Sequence, residues 1–278
     1  MVFQQPLDST FGQSVHNSEK GWELASGVSL DLGGKVAIVT GGTRGLGRDI
    51  AQRLVEAGCK VAVCGRNAPA SMPQGVSFHA ADVRDPDQAV AFTKAVADEH
   101  GRLDILVNNA GGSPAAPADT ISPRFAEAIL KLNLLGPFHM AQAAFAPMCA
   151  SGGGSVVNIA SVSGIRPSPG TAIYGAAKAG LLNLTQSLAQ EWGVHGIRVN
   201  AIIAGLMATE TAEATYGDAD AQAAVGRSMP LQRMGTGNDL ADAVLWLCSP
   251  LASWVSGARI NVDGGGERPY FLDLVKGA

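Results

Sequence analysis

Short apolar runs alternate with longer amphipathic stretches along most of the chain, beginning at Lys35. The short runs are mostly continuous in Val, Ile and Ala, which is typical of strands that are covered on both faces. They predict seven strands, at Lys35–Thr40, Lys60–Cys64, Val76–Ala80, Leu103–Val107, Ser155–Ala160, Arg198–Ile203 and Ala258–Val262. The longer stretches predict helices at Gly45–Ala57, Pro86–His100, Pro123–Asn133, Pro137–Ala150, Thr171–Val194 and Asn238–Cys248. Such alternation predicts an α/β fold, a doubly wound parallel sheet with helices on both faces.

The chain of 278 residues shows neither an internal repeat nor a low-complexity linker, so we expect a single domain over residues 32–278. One Ala-rich, weakly helical segment, Leu206–Ser228, interrupts the alternation after the sixth predicted strand. Parallel sheets bind ligands at the carboxyl ends of their strands, so residues 206–229 are predicted to form a substrate lid. Residues 1–31 form an N-terminal extension, either a mobile arm or an arm packed on a neighbouring subunit.

Composition narrows the possible functions. The net charge is −4 and no run of Lys or Arg occurs, which argues against nucleic-acid and anionic-membrane surfaces. The uncharged stretch Leu132–Ile165 contains Asn133, Pro137 and three consecutive glycines, so it is not a membrane span. The N-terminus lacks the apolar core of a signal peptide.

Four cysteines show no CxxC pair and no metal-ligand spacing with histidine, so we expect reduced thiols, no metal site and a cytoplasmic protein.

A glycine-rich turn joins the first predicted strand to the first predicted helix. Its glycines, Gly41, Gly45 and Gly47, follow a G-x3-G-x-G spacing, with Thr43, Arg44 and Leu46 between them. Glycines let the backbone turn sharply and approach a pyrophosphate without Cβ clashes. The free N–H groups at the helix N-terminus then attract the phosphates. The turn therefore predicts a dinucleotide site.

The residues after the second predicted strand indicate which dinucleotide binds. NAD-binding sites place a carboxylate there to accept bonds from the ribose hydroxyls, whereas this chain has Gly65, Arg66 and Asn67. A guanidinium binds a 2′-phosphate bidentately, and Arg44 can reach the same phosphate from the glycine turn. The sequence therefore favours NADP(H), with NAD(H) as the less supported cofactor.

A candidate catalytic set follows the fifth predicted strand. That strand ends at Ser161, and Tyr174 and Lys178 lie at i and i+4 of the next helix, on one helical face. A neighbouring ammonium favours phenolate over phenol, so the pair is suited to acid–base chemistry near neutral pH. Ser161 is placed to hydrogen-bond a substrate oxygen.

Together these residues resemble the short-chain dehydrogenase/reductase family, over nearly all of Leu32–Gly265. Further matches are Asp82 and Val83 for the adenine contact, Asn108 to Gly111 for the motif that steadies the central strand, Asn133 for a helix-kink asparagine, and the segments Pro230–Gly235 and Val262–Gly265. The resemblance implies a single-domain Rossmann-type fold with a seven-stranded parallel sheet. It implies hydride transfer between NADP(H) and a carbonyl or alcohol carbon.

The resemblance also implies roles for individual residues. Tyr174 would protonate the substrate oxygen and Ser161 would orient it. Lys178 would hold the ribose hydroxyls and lower the Tyr174 pKa, and Asn133 would support a water that reloads the proton. The cofactor contacts implied are Gly41, Thr43, Arg44, Gly45, Leu46, Gly47, Arg66, Asp82, Val83, Asn109, Ala110, Gly111, Tyr174, Lys178, the Met207 backbone and the Thr209 side chain.

One departure from the family pattern concerns the nicotinamide side. The usual Pro-Gly after the sixth strand is Ala204-Gly205 here, and losing the proline frees φ at that turn. The contacts of Met207 and Thr209 are the ones that this change puts in question.

The substrate is predicted to be a small or medium, fairly apolar ketone or aldehyde, bound between 112–118, 165–171 and 206–229. Arg166 could pair with an anionic substrate, although a solvated loop arginine is the simpler interpretation. Two alternatives remain: a ketoreductase for acyl-carrier-protein thioesters, which the absence of Lys or Arg at the ends of the two long helices disfavours, and a non-catalytic NADP(H) sensor.

The two long helices also predict assembly. Pro137–Ala150 carries no charged residue, and Thr171–Val194 carries none between Lys178 and Glu191. A helix covering one face of a sheet normally shows a charged stripe to solvent, so we expect these helices to pack against copies of themselves. A second contact near Ala258–Val262 and the tail from Glu267 would complete a homotetramer, with a dimer as the alternative.

Overall fold

A seven-stranded parallel sheet forms the centre of the computed structural model, which describes residues 30, 32–210, 212–269 and 274–275. Its strands are β1 Val36–Thr40, β2 Lys60–Gly65, β3 Val76–Ala80, β4 Ile105–Asn108, β5 Gly154–Ser161, β6 Ile197–Ala204 and β7 Arg259–Val262. The order across the sheet is β3-β2-β1-β4-β5-β6-β7, and every paired strand is parallel. The strand order changes direction between β1 and β4: β2 and β3 lie on one side of β1, and β4 to β7 lie on the other. Sheets of this kind bind ligands at that point.

Helices cover both faces of this sheet. They are α1 Gly45–Glu56, α2 Pro86–His100, α3 Pro123–Leu130, α4 Gly136–Ala150, α5 Ala172–Trp192, α6 Glu213–Tyr216, α7 Ala219–Ser228 and α8 Gly237–Cys248. Alternate residues of β1 point to opposite faces of the sheet. Ala37 and Val39 pack in the core under α1 and α8. Val36 and Ile38 pack in the core under α2, α4 and α5. The continuous apolar strands are explained by this double burial. The predicted doubly wound Rossmann-type fold is confirmed.

The strand ends and most helix ends lie within two residues of the prediction. The exception is the break predicted between Asn133 and Pro137. There the chain continues from α3 through a π-helical turn, Lys131–Leu135, directly into α4. Pro137 lies directly after this π-helical turn, at the second residue of α4. The predicted lid contains two short helices, α6 and α7, and the proposed extension lies outside the described residues except at 30.

Candidate active site

The glycine turn lies at the carboxyl end of β1, and two of its glycines have positive φ, +63° at Gly41 and +52° at Gly45. Gly47 is required by close packing instead: a Cβ there would lie 2.3 Å from the Asn109 amide nitrogen and 2.4 Å from the Gly41 carbonyl oxygen. The Asn109 amide donates to the Thr40 and Gly41 carbonyls at 3.0 and 3.3 Å. Asn109, which directly follows the neighbouring strand β4, therefore holds the turn in this conformation without a bound ligand.

The first turn of α1 is left open for an anion. Its N-cap residue, Arg44, makes no side-chain cap, and the first turn holds no acidic residue. In contrast, Asp85 caps α2, Ser122 caps α3 and Thr236 caps α8. Uncapped N–H groups at a helix start need an acceptor, and the positive end of the helix dipole favours a phosphate. These residues fit the pyrophosphate of a dinucleotide.

The adenosine end of this site is rich in arginine. Arg44 and Arg66 are both exposed, at the carboxyl ends of β1 and β2. Asp82 is held by Arg84, whose Nε donates to both carboxylate oxygens at 2.9 and 3.0 Å. This hydrogen bonding, helped by the charge of Arg66, holds the pKa of Asp82 below its ordinary value. Sequence reasoning missed Arg84, although its position two residues after Asp82 was a usable signal.

Asn133 lies in the π-helical turn and is completely buried. Its amide nitrogen donates to the Ile129 and Gly112 carbonyls, both at 3.0 Å, and its amide oxygen accepts from the Gly112 N–H at 2.8 Å. A π-turn disrupts the regular i→i−4 bonding, so the side chain supplies a donor to the Ile129 carbonyl. Both amide hydrogens are engaged, which leaves one lone pair of the amide oxygen for a further partner.

Ser161, Tyr174 and Lys178 lie together beside Asn133. The Lys178 Nζ lies 5.7 Å from the centre of the Tyr174 ring, and Ser161 lies close enough to Tyr174 to affect the pKa of its phenol. Lys178 donates to the Ile159 carbonyl at 2.7 Å. Gly111 packs closely against Asn133 and Lys178. A Cβ at this position would lie 2.8 Å from the Asn133 amide oxygen and 3.2 Å from the Lys178 Nζ, so a side chain would crowd both groups.

Burial controls the ionisation of this cluster. Lys178 is 3% exposed, and desolvation lowers its pKa to about 8. Burial raises the pKa of Tyr174, the Ser161 hydrogen bond opposes that rise, and Tyr216 adds to it. That Lys178 lowers the Tyr174 pKa stays a prediction.

Met207 lies in the segment after β6, among the residues predicted to form a lid. It is buried and pairs with Gly235. Burial raises the pKa of Tyr216, at the end of α6, and hydrogen bonding from the Met207 backbone opposes that rise. The turn before Met207 is tight although the proline is absent, since a Cβ at Gly205 would lie 2.6 Å from the Asp263 Cα. Thr209 follows in the same segment. Tyr216 was not singled out from the sequence.

A cavity of about 130 Å³ opens beside Ser161. Its lining residues are Val162, Ile165, Arg166, Gly205, Leu206, Met229, Asp263, Gly266 and Glu267. The predicted pocket segments at 165–171 and 206–229 both contribute, whereas 112–118 does not. Arg166 is not simply solvated, because it forms an ion pair with Glu267 at 2.5 Å. Sequence reasoning missed this pair, whose members lie 101 positions apart.

With this fold and this cluster of residues, the chain belongs to the short-chain dehydrogenase/reductase family of oxidoreductases. The family model described as enoyl-(acyl carrier protein) reductase matches residues 41–267.

Individual relatives show the breadth of this family. The chain is 35% identical to a tropinone reductase homolog from Arabidopsis thaliana, over 89% of this chain and 95% of that protein. It is 34% identical to gluconate 5-dehydrogenase from Gluconobacter oxydans, over 85% and 96% of the two chains. A solved structure of a putative short-chain alcohol dehydrogenase from Sinorhizobium meliloti superposes with a TM-score of 0.79 at 38% identity, covering 85% of this chain and 97% of that one.

Within the described ranges, no helix is long and apolar enough to cross a membrane. The same part of the chain holds no group of three or more His, Cys, Asp or Glu side chains that could bind a metal.

Proposed function

We propose that the protein is an NADP(H)-dependent oxidoreductase that interconverts a ketone or aldehyde and its alcohol, with Tyr174 as the acid–base residue. The observation that carries this proposal is the grouping of Ser161 and Tyr174 beside a buried lysine, at the carboxyl end of β5. When bound, the nicotinamide supplies or accepts the hydride.

Each side chain has a defined task in the reduction. The Ser161 and Tyr174 hydroxyls hold the substrate carbonyl oxygen, and Tyr174 gives its proton to that oxygen as negative charge develops there. The ammonium of Lys178 stabilises the phenolate that remains and binds the ribose hydroxyls. Asn133 fixes the backbone of Gly112 and supports the water that returns a proton to the site. Oxidation of an alcohol uses the same groups in reverse.

NADP(H) is proposed over NAD(H) because of charge. Arg44 and Arg66 flank the place where an adenosine 2′-phosphate would lie, and no carboxylate follows β2. Arg84 neutralises the nearby Asp82, which removes a source of repulsion for that phosphate.

A ketoreductase acting on acyl-carrier-protein thioesters is the second candidate. In its favour, the chain is 35% identical to a 3-oxoacyl-[acyl-carrier-protein] reductase from Vibrio cholerae, over 85% of this chain and 98% of that one. Against it, the carboxyl-terminal ends of α4 and α5 present Ala150, Val194 and Gly196 and no Lys or Arg that would meet an acidic carrier.

We further propose a homotetramer of a cytoplasmic protein. The exposed positions of α4 and of α5 up to Gln190 are Ala172, Ala176, Ala179, Gln142, Ala146, Ala150, Asn183, Ser187 and Gln190, all uncharged. Light scattering at micromolar concentration should give about four times the 28.4 kDa chain mass, and a monomer mass would contradict the proposal. Four free cysteines, three of them buried, support a reducing compartment.

The proposed function is tested by a panel of ketones and alcohols assayed with NADPH, NADP⁺, NADH and NAD⁺, followed by nicotinamide absorbance. We expect turnover with at least one small carbonyl compound and a higher kcat/KM with NADPH than with NADH. A thioester substrate turned over faster than any free ketone would favour the second candidate. Cofactor binding without turnover of any compound would instead identify a sensor.

A further inference from the structure

The ion pair between Arg166 and Glu267 lies at the substrate end of the site. The cavity that it lines starts at Val162, next to Ser161, and its apolar wall is formed by Leu206 and Met229. The side chains of Arg166 and Glu267 are 37% and 38% exposed, so they are reachable from the cavity without being fully solvated. The cavity therefore offers a place for the carbon chain of a substrate whose carbonyl oxygen is held by Ser161 and Tyr174.

Arg166 has donors to spare in this position. Its two terminal nitrogens donate to Glu267 at 2.5 Å and to the Pro167 carbonyl at 3.0 Å. A guanidinium carries five N–H donors, so these two bonds leave others for an oxygen that a ligand supplies.

The charges around Arg166 indicate which kind of ligand oxygen this side chain would bind. One positive side chain, Arg166, faces two negative ones, Glu267 and Asp263, in the lining of the cavity. Because Glu267 already pairs with the guanidinium, an anionic substrate group would have to compete with a carboxylate. A neutral hydroxyl accepts from Arg166 and donates to Glu267 at no such cost.

We propose that Arg166 and Glu267 together form a recognition site for a substrate hydroxyl group, so that the enzyme prefers small hydroxylated carbonyl compounds, and the corresponding polyols, over apolar ketones and over oxo acids. This rests on the proposed function, and it replaces the expectation of an apolar substrate.

The test uses substrate pairs that differ by OH for CH3: hydroxyacetone against butanone, and 4-hydroxy-2-butanone against 2-pentanone, with pyruvate as the anionic probe. Wild-type kcat/KM should favour the hydroxylated member of at least one pair by about tenfold or more, because a site built to bind a hydroxyl rejects the analogue without it. In Arg166→Met that preference should fall by about tenfold. In Glu267→Gln, which frees the guanidinium, kcat/KM for pyruvate relative to hydroxyacetone should rise by about tenfold.

The control is Arg53→Met on α1, which removes another ion-paired arginine, far from the cavity. It should keep the wild-type preference. Wild-type preference for both methyl members, or a hydroxyl preference that persists unchanged in Arg166→Met, would overturn the inference while leaving the proposed function in place. If NADPH neither binds, as followed by its fluorescence, nor is oxidised with any of these ketones, both the proposed function and the inference are wrong.

Discussion

The two halves of the active site are built in different ways. The cofactor half, at the ends of β1 and β2, presents backbone N–H groups at an uncapped helix start and two exposed arginines, Arg44 and Arg66. The chemical half, at the end of β5, consists of side chains taken out of water: Asn133 is 0% exposed and Lys178 is 3% exposed.

This difference predicts that affinity and rate can be changed separately. Exposed arginines make contacts that are gained once the cofactor binds, so their loss should weaken binding first. Buried groups act on charge that develops during the reaction, and they act strongly because little water screens them. Loss of the Arg44 or Arg66 guanidinium should therefore move KM, and loss of the Ser161 or Tyr174 hydroxyl should move kcat.

The largest effect is expected for Tyr174→Phe. Removal of the hydroxyl deletes the proton donor and keeps the ring, so kcat should fall by roughly 10²–10⁴-fold, the contribution of a positioned acid–base group. NADPH binding, measured by fluorescence titration, should stay within about threefold of wild type. Residual activity above about a tenth of wild type would contradict the proposed role of the hydroxyl.

The buried charge of Lys178 should also affect the free energy of unfolding. Burial lowers the pKa of Lys178 from 10.5 to about 8, so its charge destabilises the folded state below pH 8. As pH rises from about 8 towards 10.5, the unfolded chain holds the extra proton, and wild type should gain stability relative to Lys178→Met. At about 1.36 kcal/mol per pKa unit, the full swing is roughly 3 kcal/mol.

Urea unfolding of both proteins at about pH 7 and about pH 10 measures this difference. The paired comparison is needed because burial also raises the thiol pKa of Cys64 and of Cys248 to about 12, which lowers stability as pH rises above about 9 in both proteins. Lys60→Met, at an exposed lysine, is the control and should show no such pH dependence. An equal difference at both pH values would show that Lys178 is not perturbed.

A smaller effect is expected in the cofactor half. Arg66→Asp should raise KM for NADPH by about tenfold, since a charge-assisted hydrogen bond contributes roughly 1.5–3 kcal/mol. The loss should fall on KM more than on kcat, and KM for NADH should rise less. Arg124→Asp makes the same charge change on the exposed start of α3 and should leave both KM values at wild type. Equal losses for the two cofactors would argue against 2′-phosphate recognition.

The predictable parts of the molecule were those whose sequence pattern has a single physical solution. Continuous apolar strands predicted a doubly covered sheet, and the spacing of Gly41, Gly45 and Gly47 predicted a turn that the structure shows to be sterically required at Gly47. The i, i+4 spacing brought Tyr174 and Lys178 to one face of α5.

The parts that escaped prediction depend on long-range contacts or on local energetics. The Arg166–Glu267 pair joins two loops 101 residues apart, and no local pattern indicates that they meet. The π-turn at Lys131–Leu135 is stabilised by the Asn133 amide, which helix propensity does not describe. The rise that burial gives the Tyr174 pKa could not be predicted either, because an i, i+4 spacing carries no information on burial.

The central claim, that the two halves divide affinity from rate, is tested most directly by measuring NADPH affinity and single-turnover rate side by side in wild type, Tyr174→Phe and Arg66→Asp. We predict that Tyr174→Phe loses rate by at least about a hundredfold with near wild-type affinity, and that Arg66→Asp loses affinity by about tenfold with a much smaller loss of rate at saturating NADPH. Parallel losses of affinity and rate in both variants would contradict the account.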